Sequence, residues 1–431
     1  MRAWGRVLGV AVALVAIGAA WVAWRNRDDA VPPSAATAAG GAASADLVAR
    51  GAYLVRAGDC IGCHTARGGE PYAGGRGIET PFGTVFAPNL TPDPETGLGR
   101  WSADDFWHAL HDGRARDGRL LYPAFPYPNY TRVTRADADA MHAYLRSLAP
   151  VVQPNLPHTL RFPFDLQAAL AVWRALYFEP GVYLSDASRS ASWNRGAYLV
   201  EGLGHCNACH TSRNALGAPV GPLDLAGGMI PVQNWYAPSL TSLDESSVAE
   251  WKPDDVVELL RDGVSARNAV MGPMVEVVLH STQHLTADDL GAITEFLRTL
   301  PQTRTQVTVQ GSAARAAGQA AAARGATLYG HHCAGCHGEQ GAGVPRAYPA
   351  LAGSRAVTMA SPANLVHVVL RGGFPPATKG NPRPFGMPPF ATVLSDDEVA
   401  DLLSYIRGAW GNHAPAVSAL EITRYRDAGR Q

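Results

Sequence analysis

Three short stretches carry residue types able to do chemistry: "DCIGCH", "HCNACH" and "HCAGCH". In each, two cysteines three apart are followed directly by a histidine. The sets are Cys60, Cys63 and His64; Cys206, Cys209 and His210; Cys333, Cys336 and His337, and they use all six cysteines of the 431-residue chain. Disulfides are permitted outside the cytoplasm, but three isolated pairs, each trailed by a histidine, make an odd framework. A zinc site wants four ligands, and one such motif supplies at most three. A thioredoxin-like redox pair needs no fixed histidine and expects an α/β fold. Covalent haem uses every residue: the two thiols add to the two vinyl groups of one porphyrin, and the next histidine is the proximal iron ligand. The pattern predicts three covalently attached haem c groups.

A thioether is the usual partner of histidine at an electron-transferring iron. Met387, in "FGMPPF", is the clearest candidate, because Pro388 and Pro389 forbid helix there and hold the loop extended. In "VMGPMVEVV", Met274 is favoured over Met271. The corresponding loop after the first motif, "LLYPAFPYPNY", offers Phe125, which cannot bind iron. Met141 is the methionine available there, although its counterparts by register, Ile293 and Leu402, favour a core role. His108, His111 and His142 would allow a bis-histidine site instead, and an open, five-coordinate iron is the third option. Pro71, Pro219 and Pro345 follow the motif histidines by seven to nine residues, and their carbonyls are candidates to accept the histidine Nδ1–H.

The elements that position these residues also recur. Each motif is preceded by "RGA", from Arg50, Arg195 and Arg324, within an apolar helical pattern. A second helix recurs over 133–148, 285–300 and 394–409. Its N-caps are Thr134, Thr286 and Ser395, with an acid three residues on (Asp137, Asp289, Glu398), the pattern of a capping box. Tyr144, Phe296 and Tyr405 lie in its second half, and Gly51, Gly196 and Gly325 in the lead helices would let the two helices approach closely. A middle helix is expected from "WSADDFWHALHDG" and "WKPDDVVELLRDG". The segment "ALAVWRALYF" (169–178) reads as an apolar helix packing between domains.

Val7 to Trp24 is an uncharged run of 18 residues behind Arg2 and Arg6, long enough to begin to span a bilayer. With no small-x-small cleavage site straight after it, it reads as an uncleaved anchor rather than a cleaved signal. The positive-inside bias leans weakly toward haem domains on the periplasmic side of the inner membrane. The formal net charge of −1 gives no field for nucleic acid. There is no catalytic constellation: no nucleophile with a base, no phosphate-binding glycine loop, no second metal site.

Residues 47–412 resemble the three-haem cytochrome c subunits of membrane-bound bacterial dehydrogenases. The resemblance is carried by the three Cys-x-x-Cys-His motifs, "FGTVFAPNLTPDPETGLGRWSADDF", "LYPAFPYPNYT", "LRFPFDLQAALAVWRALYF", "NWYAPSLTS" and "GPMVEVV". It implies Met274 and Met387 as ligands, while Phe125 departs from the methionine often found in its loop. It also implies a partner dehydrogenase subunit carrying flavin, pyrroloquinoline quinone or molybdenum, with electrons leaving for ubiquinone or a terminal oxidase. The expected fold is mainly α, with three tandem class I cytochrome c domains and an N-terminal transmembrane helix. The expected order is anchor (1–27), flexible linker (28–46), domain 1 (47–150), connector (151–190), domain 2 (191–301), linker (302–317), domain 3 (318–412) and polar tail (413–431). A haem enzyme with an open first iron, peroxidase-like, and a free-standing electron-transfer cytochrome are the alternatives.

Overall fold

A computed structural model describes residues 2–27, 32, 43–221, 224–304 and 312–427. Of the linker expected over 28–46, residues 28–31 and 33–42 lie outside the described residues, as do 305–311 of the second linker and 428–431 of the tail. The chain forms two compact units. One comprises Met1–Val55, Cys63–Leu184 and Ala215–Ala218, and the other Arg56–Gly62, Ser185–Asn214 and Pro219–Gln431.

The architecture is mainly helical. Helices α1 (Arg2–Arg25), α2 (Ala45–Ala57), α3 (Cys60–Cys63), α4 (Ala103–His111), α5 (Tyr127–Tyr130), α6 (Arg135–Ser147) and α7 (Gln167–Tyr177) come first. Then follow α8 (Ala191–Tyr198), α9 (Asn207–His210), α10 (Pro253–Asp262), α11 (Met274–His280) and α12 (Ala287–Arg298). The last are α13 (Ser312–His332), α14 (Ala334–His337), α15 (Arg355–Thr358), α16 (Ala363–Arg371), α17 (Asp396–Gly408) and α18 (Ala419–Asp427). Strands β1 (Gly77–Thr80), β2 (Gly83–Phe86) and β3 (Thr159–Leu160) form one small antiparallel sheet, with Ile78 opposite Val85 and Thr84 opposite Thr159. Strands β4 (Gly228–Met229) and β5 (Tyr236–Ala237) form a second.

The "RGA" triplet has a structural reason. A Cβ on Gly51 would lie 1.8 Å from the Ala140 carbonyl oxygen and 2.8 Å from the Tyr144 Cβ, so α2 and α6 touch backbone to backbone. Gly196 meets Ala292 and Phe296 in the same way, at 2.0 and 2.9 Å, and Gly325 meets Asp401 and Tyr405 at 2.2 and 2.7 Å. The arginine beside each glycine ties the same pair of helices: Arg50 to Asp137 (2.6 Å), Arg195 to Asp289 through two bonds of 2.8 Å, and Arg324 to Asp401. Thr134, Thr286 and Ser395 each accept the amide of the acid three residues on. Ser395 and Glu398 close the full reciprocal box.

One expectation changes, and one helix carries a charge inside an apolar string. The helix α7 lies in the first unit, where Trp173 donates to the Leu216 carbonyl (2.9 Å). Its one charge, Arg174, is buried and needs partners, which it finds in the Asp112 carbonyl and in the faces of Phe178 and Tyr127. The polar tail contains α18, with Ile422 and Val417 in one core cluster with Leu402, Leu403 and Val366. Arg426 pairs with Asp396, and Arg407, on α17, donates to the Pro415 carbonyl (2.8 Å), which fixes the segment between the two helices.

Candidate haem-binding sites

One helical turn brings residues i, i+3 and i+4 onto one face. The amide of His210 donates to the Cys206 carbonyl and that of His337 to the Cys333 carbonyl, both at 2.9 Å, so each cysteine pair and its histidine share such a turn. The first motif begins as helix α3, Cys60–Cys63, with His64 directly after it. None of the six cysteines forms a disulfide. Burial pushes the Cys206 thiol up to about 12 and that of Cys333 to about 11, the behaviour of sulfurs held in an apolar setting.

The three histidines are locked alike. Nδ1 of His64 lies 2.8 Å from the Pro88 carbonyl oxygen, that of His210 2.7 Å from Pro238, and that of His337 2.9 Å from Pro349. A carbonyl only accepts, so Nδ1 carries the proton and the Nε2 lone pair is left for a metal. Burial lowers the pKa of all three and keeps the rings neutral, the form a ligand needs. The prolines are not the expected Pro71, Pro219 and Pro345. Those sit too near the motif, in the turn that leads away from it, whereas the acceptors arrive on a strand or loop returning to it. The signal was present as the shared "APNL" and "APSL" of 87–90 and 237–240.

A glycine makes that return possible. Gly74, Gly227 and Gly343 each donate an amide to the carbonyl of the motif histidine (2.8, 2.8 and 2.9 Å). All three have positive φ (78°, 83° and 64°). A Cβ on Gly74 would lie 2.5 Å from the Pro88 carbonyl carbon, one on Gly227 2.7 Å from the Ser239 amide, and one on Gly343 2.7 Å from the Pro349 carbonyl carbon. Only glycine combines that backbone with that approach.

The candidate sixth ligands differ from site to site. Met387 lies in an extended segment bridged to Gly373 by two backbone bonds (2.8 and 3.0 Å) and packs on the core cluster of α16 and α17. Met274 opens α11 behind Pro273, and Gly272, at φ 62°, is pressed against the Trp235 ring. The Cε of Met271 is 3.2 Å from where a Cβ on Gly373 would be, so its side chain rests on the Met387 segment. Phe125 precedes the short helix α5 and packs on Tyr130, with ring centroids 5.3 Å apart. Met141 is buried on α6, as Ile293 and Leu402 are at the same register on α12 and α17.

Of the three histidines weighed for the first site, His108 and His111 are engaged by hydrogen bonds. His108 pairs with Asp112 at 2.5 Å. His111 stacks on Trp107 and its Nδ1 lies 3.0 Å from the Thr131 carbonyl. His142 packs on Phe106, burial lowers its pKa to about 4, and its buried Nε2 has no hydrogen-bond partner among the described residues.

Cysteine pairs on a helical turn that form no disulfide, with a neutral histidine oriented through Nδ1, fit a covalently attached haem and define a c-type cytochrome. The cytochrome c family model matches residues 48–149 and 322–410, which hold the first and third motifs. The chain is 41% identical over 403 residues to the alcohol dehydrogenase (quinone) cytochrome c subunit of Gluconobacter oxydans, covering 89% of this chain and 83% of that one. It is 39% identical over 395 residues to the gluconate 2-dehydrogenase cytochrome c subunit of Pantoea cypripedii, covering 88% and 89%. It is also 34% identical over 409 residues to the fructose dehydrogenase cytochrome subunit of Gluconobacter japonicus, covering 89% of this chain and 83% of that one. The chain belongs to the cytochrome c subunits of such dehydrogenases: it is an electron-transfer subunit with covalently bound haem c, not the catalytic one.

Proposed function

We propose that this chain holds three haem c groups in three tandem cytochrome c domains. It passes electrons from a dehydrogenase catalytic subunit toward ubiquinone or a terminal oxidase. The observation that carries the reading is the threefold recurrence of one arrangement: a Cys-x-x-Cys-His turn whose histidine is fixed by a proline carbonyl. When bound, the haem supplies one-electron chemistry. The chain supplies attachment through Cys60, Cys63, Cys206, Cys209, Cys333 and Cys336, and proximal ligation through His64, His210 and His337. Met274 and Met387 are the sixth ligands of the second and third sites. Met271, directed at Gly373, rests on the Met387 segment instead.

The first site has no thioether. Met141 shares its buried register with Ile293 and Leu402, which supports a packing role for all three. Phe125 takes the place of the ligand in the loop, so the first iron is open to small exogenous ligands.

The partner is a catalytic subunit of the flavin, pyrroloquinoline quinone or molybdenum class, a reading supported by the complexes named for the relatives. Helix α1 is a retained anchor, and the domains lie on the periplasmic face of the inner membrane. Retention is supported by Arg25 and Asn26, which are bonded into the first unit. The test is purification from gently solubilised membranes. The denatured chain should carry the mass of three haems, and a large redox subunit should accompany it whose substrate reduces them. A chain with fewer haems, or one that comes alone and is reduced by no dehydrogenase substrate, overturns the reading.

A further inference from the structure

Helix α7 presents two opposite faces. Leu170, Arg174 and Phe178, spaced by four, are buried. Ala168, Val172 and Leu176, also spaced by four and about 200° around the helix from the first set by its 100° step, are exposed. Val172 is 45% and Leu176 52% exposed, and the half-exposed Trp173 packs on the exposed Tyr177 (centroids 5.6 Å apart). Arg174 is the one charged residue in the helix and it points inward, so the outward face is wholly apolar. A water-facing helix would carry its charges on that side.

What covers this face is indicated by its neighbour. Helix α1 contains a 20-residue apolar window, none of it buried in the protein, which is long enough to cross a bilayer. Its C-terminal end is seated on α7: Val22, Arg25 and Asn26 are partly covered there, while Trp21, Ala23 and Trp24 stay exposed. Five hydrogen bonds make the joint. Arg25 donates to the Ala175 and Phe178 carbonyls (3.3 and 3.0 Å), capping the end of α7 where its carbonyls are unpaired. Asn26 donates to the Ala171 carbonyl (3.0 Å) and accepts from Arg174 (3.0 Å), and its own carbonyl accepts from Arg114 (2.7 Å). Tryptophan and tyrosine at the end of an apolar span are the composition of a membrane interface, and Trp21, Trp24 and Tyr177 supply it here.

We propose that the face of α7 formed by Val172, Leu176 and Tyr177 lies in the interfacial layer of the bilayer that α1 crosses, so that the first unit is held flat on the membrane. The proposal rests on the reading of α1 as a retained anchor. An amphipathic helix with an apolar face of this kind binds in the plane of the interface, and the rigid joint to α1 sets its depth.

The test uses the full haem-loaded chain in phosphatidylethanolamine–phosphatidylglycerol vesicles containing a lipid-soluble diazirine photoreagent, with labelled peptides identified by mass spectrometry. Peptides from both α1 and α7 should be labelled. In V172E/L176E, whose altered side chains start exposed, labelling of α7 should fall to the level of an exposed loop peptide while labelling of α1 persists. Label on α1 but not on α7 overturns the proposal and leaves the anchor reading standing, pointing to a protein partner for the face. Label on neither overturns the anchor reading itself. Equal labelling of α7 in the wild type and V172E/L176E also overturns the proposal.

Discussion

The first and third sites share one foundation and differ in one loop. In both, the motif histidine is locked by a proline carbonyl (Pro88 or Pro349) and a positive-φ glycine (Gly74 or Gly343) brings that proline in. In the third site, the later loop is extended, bridged to Gly373, and carries Met387 ahead of two prolines. In the first, the loop turns into α5, Tyr127 is buried beneath Arg174, and Phe125 stands where a ligand would be expected. The attachment half of a site is thus held constant while the ligand half is free to change. On the proposed ligands, sites of the same build would hold iron of different chemistry.

The largest expected effect comes from removing the difference at its stronger end. Met387→Ala should lower the potential of one haem by a sizeable share of the roughly 0.8 V that axial ligation spans, and Met274→Ala should do the same to a second. Met271→Leu should leave every potential nearly in place. A potentiometric titration followed by optical absorbance reads all three, and a large shift in Met271→Leu would reverse the assignment. Phe125→Met is the converse: it should raise the potential of one haem and remove that haem's ability to bind carbon monoxide. An unchanged carbon monoxide spectrum in that variant would separate the loop from the ligand position.

Changes in the shared foundation should act on stability. Gly51→Val would drive a side chain into the Ala140 carbonyl and should cost about 3 kcal/mol, read as a lower thermal midpoint of the first unit. Potentials in the other unit should be unaffected. Smaller still, Ser395→Ala removes an N-cap and should cost about 1 kcal/mol in a denaturant titration. The partner Glu398 has its carboxyl held below the usual range by bonds from the Ser395 backbone amide and hydroxyl. Its folded pKa is depressed, so its contribution is complete above the ordinary carboxylate range and is lost as pH falls through the folded pKa. Glu398→Gln should flatten that acid-side loss.

Much of this was legible in sequence because it rests on short-range rules. The Cys-x-x-Cys-His spacing is one helical turn, the Thr134, Thr286 and Ser395 caps are local, and Gly51, Gly196 and Gly325 mark helix crossings by their place in "RGA". The unread parts depend on chain return. Pro88 is 24 residues from His64 and Pro238 is 28 from His210, distances set by loops that no periodicity describes. The same holds for Met271, whose direction is decided by Gly373 about a hundred residues later. Arg174 was hidden inside an apolar string, and its need for carbonyl partners is what turned α7 inward on one side. The tail looked polar because Ile422 and Val417 are its few buried apolar positions.

The contrast between the first site and the other two is tested most directly by titrating the fully reduced, haem-loaded protein with carbon monoxide and counting the haems that respond. One responding haem in three is predicted, with the response abolished by Phe125→Met. No response in the wild type would mean that the first iron has a protein ligand on both sides, and response by all three would mean that Met274 and Met387 are not ligands.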